Sequence, residues 1–205
     1  MKNEASCGLK SLQEAVLGFL CSCPGPATIK LDCGKIVKHF KAICPLTKLT
    51  AEKAYTNATS ALAEQFLEYA QEQFLFKIKS IQVDGGSEFR GEFETACQNK
   101  KIDLYVLSPR SPKFNAHVER GNGTVKYEFY YHYDGPPVLN VVNQRLEKFV
   151  EFYNTFSPHQ SLQYKTPIDY YEQLSIELKK KESRVKLALL AIEANFESKT
   201  HASLS

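Results

Sequence analysis

The chain has 205 residues, 43% of them hydrophobic, which is enough to bury one ordinary core with a short appendage at each end. Its 26 basic and 23 acidic residues leave a net charge of +3, so it is no histone-like or ribosomal binder, and any contact with DNA is made by a local patch. Six cysteines without a C-x-x-C pair speak for reduced thiols rather than zinc or disulfides, and no apolar run reaches the ~18 residues of a membrane span.

Residues 1–28 read as a divergent leader. Ser11–Leu20 has the makings of a short helix, stopped by Pro24-Gly25-Pro26. The apolar run Ala15–Cys23 before those prolines has some look of a signal peptide, but Glu4 and Glu14 spoil the positive leader, and a cytoplasmic protein is expected. Thr28–Asp32 and Ile36–Ile43 alternate around Cys33-Gly34-Lys35, the pattern of an antiparallel hairpin. An amphipathic helix follows from Ser60 to Phe74, then a strand, Phe76–Val83, that becomes apolar toward Asp84. A short helix over Gly91–Asn99 and a strand over Ile102–Leu107 complete a parallel crossover, so the sheet is mixed and covered by helices.

Beyond a Pro-rich loop at Ser108–Asn115, a helix is expected from Ala116 to His132, weakened by Gly121 and Gly123. Leu139, Val142, Leu146, Phe149 and Tyr153 then form a helical stripe. Residues 172–205 form a tail with a separate amphipathic helix, lysine-rich at Lys179–Lys181 and apolar from Leu187.

Two acids carry the chemistry. Asp84 closes an apolar strand before Gly85-Gly86, where the backbone can turn sharply and leave room for a ligand. Glu119, thirty-five positions later, falls in the first turn of the next helix and can swing toward the strand ends. Two carboxylates brought to one point from separate elements can hold Mg²⁺ against a phosphate.

The segments V-D-G-G-S-E-F at Val83–Phe89, S-P-R-S-P-K-F-N-A-H-V-E-R at Ser108–Arg120, and Tyr153-Asn154-Thr155 with Pro158-His159 and Thr166-Pro167 occur in one order and spacing. From about Lys35 to Tyr171 the chain resembles the catalytic core shared by retroviral integrases and insertion-sequence transposases. The resemblance implies an α/β, ribonuclease H-like mixed sheet of five strands over residues 29–171. It also implies divalent-metal-dependent DNA strand cleavage and strand transfer, with Mg²⁺ or Mn²⁺ as cofactor. Asp84 and Glu119 take the places of the second and third metal-binding acids. The first belongs on the opening strand of the hairpin, where Asp32, the only Asp before Asp84, is the candidate.

The family also places a basic residue at Lys126 to meet DNA phosphates. Lys113, Asn115 and Arg120 join it as candidate DNA contacts, giving position rather than sequence readout. The implied partners are the element's ends and target DNA, handled by a homo-oligomer. The chain departs from the pattern at Cys44, Thr47-Lys48, Ala116 and Ser157, where the family has an acid, Ser-Arg, Gly and Arg. Two other readings remain open. One is an inactive remnant, N-terminally truncated, that binds DNA or an intact transposase; the other is a ribonuclease H-like nuclease unrelated to mobility.

Overall fold

The computed structural model describes residues 14–22, 28–107 and 123–202. Five strands lie in it: β1 (Glu14–Ser22), β2 (Lys38–Ile43), β3 (Thr50–Tyr55), β4 (Lys77–Val83) and β5 (Asp103–Val106). They form one mixed sheet in the order β3-β2-β1-β4-β5. β1 pairs antiparallel with β2 and parallel with β4, while β3 extends the antiparallel side and β5 the parallel side.

The central position of β1 corrects the sequence reading. Residues 14–22 were expected as part of a leader, with a short helix over Ser11–Leu20, and they are instead the middle strand of the sheet. Val16-Leu-Gly-Phe-Leu20 is a continuous apolar run, which periodicity alone assigns to either state. Pairing on both sides decides for a strand, because its backbone groups are then satisfied between β2 and β4.

The expected hairpin over residues 28–43 exists, but as a distal extension of the β1–β2 arm. Lys30 bridges Ile36, Val37 N–H donates to the Ile29 carbonyl at 3.1 Å, and the tip turns at Gly34 with φ +79°. β3 was not anticipated at all.

Helices α1 (Ser60–Gln73) and α2 (Glu92–Asn99) cover one face of the sheet. Thr59 caps α1, its hydroxyl accepting from Leu62 N–H at 3.3 Å, and Ser60 Oγ accepts from Phe93 N–H at 2.9 Å, which ties α2 to α1. Beneath them Phe19, Phe40, Phe66, Phe89 and Phe93 form a chain of ring contacts in the main core.

The opposite face carries α3 (Val125–Tyr130) and α4 (Leu139–Thr155). Val125, Phe129, Val142 and Leu146 meet Ala54 and the hairpin residues Ile29, Leu31 and Val37 there. α3 is wound with i→i+5 bonds, Tyr131 N–H donating to the Lys126 carbonyl at 3.0 Å, a form that tends to mark functional segments.

α4 runs along the β3 edge of the sheet. Asn143 exchanges two hydrogen bonds with the backbone of Ala54 (2.8 and 3.0 Å), and Asn154 does the same with Thr50 (3.0 and 2.9 Å). The side chains thus satisfy backbone groups that an edge strand leaves open.

α5 (Pro167–Ala202) is one helix of 36 residues, on the order of 54 Å long. The expected boundary between core and tail, at residues 171/172, therefore falls inside a continuous helix. Its first turns dock through Tyr171, whose hydroxyl donates to the Leu75 carbonyl at 3.0 Å, and every residue from Lys179 to Lys186 is exposed. Among the described residues no helix is long and apolar enough to cross a membrane.

Candidate active site

Asp84 stands one residue past the end of β4, where β1 and β4 finish side by side. Its Oδ1 accepts from Gly86 N–H at 3.4 Å, and the carboxylate is half-buried. Burial pushes the Asp84 carboxyl up from its usual range, the Gly86 N–H pulls the other way, and the Glu88 charge adds to the rise. Glu88 folds back over Gly86 so closely that a Cβ there would lie 2.7 Å from its Oε2. A larger residue at 86 would displace the Glu88 carboxylate.

Strand register fixes which residues share the face on which Asp84 falls. Gly18 pairs with Ile43 on one side and Gln82 on the other, so by alternation positions 18, 20 and 22 of β1 lie on that face. They are Gly18, Leu20 and Ser22, none of them an acid. The one carboxylate in β1 is Glu14, paired with Lys77 at the far end of the sheet.

Asp32, expected on the strand beside Asp84, is not there. It sits exposed at the tip of the distal hairpin, where its Oδ1 accepts from Cys33 N–H at 2.8 Å and its own N–H donates to the Pro137 carbonyl at 2.9 Å. The physical reason is the true identity of the neighbouring strand: β1 fills the place that residues 28–32 were expected to take. Glu119, Lys113, Asn115 and Arg120 lie outside the described residues. Lys126 is described, on α3, with Nζ 5.2 Å from the Tyr127 ring centroid.

The same face holds a charged network that the sequence reading missed. Lys41 Nζ and Glu52 Oε1 are 2.5 Å apart, and His39 Nε2 lies 3.2 Å from Glu52 Oε2. All three residues expose 2% or less. Thr50 Oγ1 donates to Glu52 Oε1 at 3.2 Å, and His39 Nδ1 meets the Tyr130 hydroxyl at 2.8 Å. Burial alone would raise the Glu52 carboxyl, but Lys41 and His39 outweigh it and hold the group at about 2. Lys41 also lies 5.6 Å from the ring centroid of Tyr153, whose other neighbour is His159 at 4.6 Å. A sequence signal existed in His39 and Lys41, polar at alternate positions of an apolar strand, but their partner Glu52 sits on the strand that was not foreseen.

A divalent ion at this sheet end would draw on Asp84. The described residues do not complete a ligand set for it: no group of three or more His, Cys, Asp or Glu among them is placed to hold a metal. The sequence of β1 has no acid but Glu14, and Glu52, the buried carboxylate among the described residues, is already committed to Lys41.

Comparison with known proteins gives the fold its relatives. Residues 100–167 match the family described as integrase core domain. A simian T-cell lymphotropic virus intasome, solved in complex with a PP2A regulatory subunit, contains a similar chain at 18% identity and TM-score 0.63, with 77% of this chain and 54% of that one covered. The chain therefore spans about half the length of that relative. The HTLV-2 integrase catalytic core domain in complex with magnesium is similar at 16% identity, over 77% of this chain and 95% of that one. Its trimeric form gives a TM-score of 0.59 and its dimeric form 0.58. Curated protein sequences give no significant match. The chain carries the fold of an integrase catalytic core, and its residues 100–167 match the integrase core domain family.

Proposed function

We propose that this chain is the core of a DNA transposase or integrase of a mobile element, acting in the cytoplasm as a subunit that binds DNA ends and assembles with further copies. The observation that carries the reading is the half-buried Asp84 carboxylate, at the C-terminal end of β4 in a sheet of integrase topology. Lys126, with Lys113, Asn115 and Arg120 from the preceding segment, would meet DNA phosphates. The trimeric and dimeric forms of the HTLV-2 core support a homo-oligomer.

A second reading is the family's full reaction, divalent-metal-dependent strand cleavage and strand transfer, with Mg²⁺ or Mn²⁺ held by Asp84 and Glu119. The Asp84 carboxyl favours it, because a carboxylate destabilised by burial and by Glu88 is relieved by a cation. Such an ion, when bound, would polarise the phosphodiester and activate the attacking oxygen. The missing β1 acid weighs against it, and for that reason binding stands first. What this chain's own residues supply is a carboxylate poised at the sheet end and, on α3, the Lys126 ammonium to position the strand.

Binding to labelled duplex across a salt series, beside nicking of supercoiled plasmid in Mn²⁺ by wild type and Asp84→Asn, tests both readings. Wild type that binds duplex without nicking it supports the binding subunit. Nicking that disappears in Asp84→Asn moves the conclusion to the enzyme. A chain that binds no DNA at low salt sinks both.

A further inference from the structure

α3 has two faces with opposite characters. On the inner face Val125, Phe129 and Tyr130 are buried, and the Tyr130 hydroxyl is joined to His39 on β2, whose other nitrogen faces Glu52 on β3. The Tyr130 and His39 rings meet edge to face, with centroids 5.4 Å apart at 87°. Burying charge is costly, yet here Lys41 and Glu52 are buried with His39 beside them, and the Tyr130 hydroxyl is the contact that α3 makes with the group. The arrangement fixes the rotation of α3 on the sheet, and with it whatever the outer face displays.

Turned to solvent are Tyr127 on α3 and Tyr131 just past its end, four residues apart and 61% and 69% exposed. Lys126 Nζ lies 5.2 Å from the Tyr127 ring centroid, and Tyr131 meets the His132 ring edge to face at 5.4 Å. Two large rings held in water gain by taking a flat partner, and little side-chain freedom is lost when they do. Glu128, exposed and between them in sequence, disfavours a phosphate beside it and favours uncharged ring systems there. Lys126 at the border suits a phosphate there. Flat, uncharged rings strung on a phosphate chain describe single-stranded nucleic acid; duplex DNA keeps its base faces inside the stack.

We infer that Tyr127 and Tyr131 form a stacking face for unpaired nucleotides, with Lys126 taking the adjoining phosphate. This rests on the DNA-binding reading above and adds a preference for single-stranded segments.

The test compares a labelled oligothymidylate with a blunt duplex of equal length, both bound by the full chain and followed by fluorescence anisotropy. Y127A/Y131A should weaken single-strand binding by about tenfold for each stack lost and leave the duplex unchanged, while Y127F/Y131F should bind both as wild type does. Lys126→Ala should weaken both probes. The chain has no tryptophan, so tyrosine emission gives a second readout: single strand should quench wild type more than it quenches the phenylalanine pair. Equal loss on both probes in the alanine pair, or no loss on the single strand, overturns the inference. So does a phenylalanine pair that falls as far as the alanine pair. Wild type that binds duplex but not the single strand overturns the stacking face alone, whereas binding to neither removes the DNA-binding reading with it.

Discussion

Lys41 and Glu52 meet across β2 and β3 with Nζ and Oε1 2.5 Å apart, and neither exposes more than 2% of its surface. Such a pair is less a source of stability than a commitment, because removing one partner strands the other charge in the core. Glu52→Gln should cost about 3–5 kcal/mol. The double variant Lys41→Met with Glu52→Leu should cost much less than either single change. Urea unfolding of the four proteins closes the cycle; additive losses would show that the two groups do not depend on each other.

The same pair sets an acid limit. The folded Glu52 carboxyl titrates at about 2, below its ordinary value of 4.5. A depressed folded pKa gives stability that is present above the ordinary value and is lost as pH falls from there toward the folded one. Unfolding followed between pH 5 and pH 2 should therefore show a steep loss in wild type. Glu52→Gln, already weakened at neutral pH, should show a shallower slope over that window.

Asp84 predicts the opposite sign. Its folded carboxyl is raised, so the folded state binds the proton better than the unfolded chain does, and ionisation at neutral pH works against folding. Asp84→Asn should raise the metal-free melting temperature slightly, by roughly one to two degrees. Added Mn²⁺ should narrow the gap only if wild type takes up the ion. A lower melting temperature in Asp84→Asn would show that the carboxylate is a structural acceptor.

Lys126→Ala should weaken duplex binding uniformly across sequences. The slope of log affinity against log salt should fall by about one unit, as one phosphate contact is lost. An unchanged slope would place Lys126 off the DNA.

Asn154→Ala should leave the N–H and carbonyl of Thr50 without their side-chain partners. The cost should be about 1–3 kcal/mol, with Asn143→Ala similar at Ala54. Thermal melts would check this, and a change within error would mean that water replaces the amides.

Much of the architecture was legible because local pattern and tertiary role agree. The stripe from Leu139 to Tyr153 became α4 with Val142, Leu146 and Tyr153 buried, and the alternation ending at Val83 became β4 with Asp84 just beyond it. Failures came where long-range pairing overrode local preference. Val16–Leu20 has no periodicity to separate a short helix from a central strand, so the place of β1 was left to Asp32 and its hairpin. Thr50-Ala-Glu-Lys-Ala-Tyr55 has polar residues at three of its first four positions, yet Thr50 and Glu52 face inward because Lys41 waits on β2. A buried ion pair inverts the rule that polar means outward, and no single strand announces it.

The two amide clamps of α4 on β3 also govern how copies of this chain can join. A free edge strand invites another chain to continue the sheet, and at Thr50 and Ala54 the groups that would receive it are already taken by Asn154 and Asn143. Oligomers therefore cannot grow by sheet continuation along that border. The opposite border, β5, carries no such clamp among the described residues, so sheet continuation between copies is confined to that side.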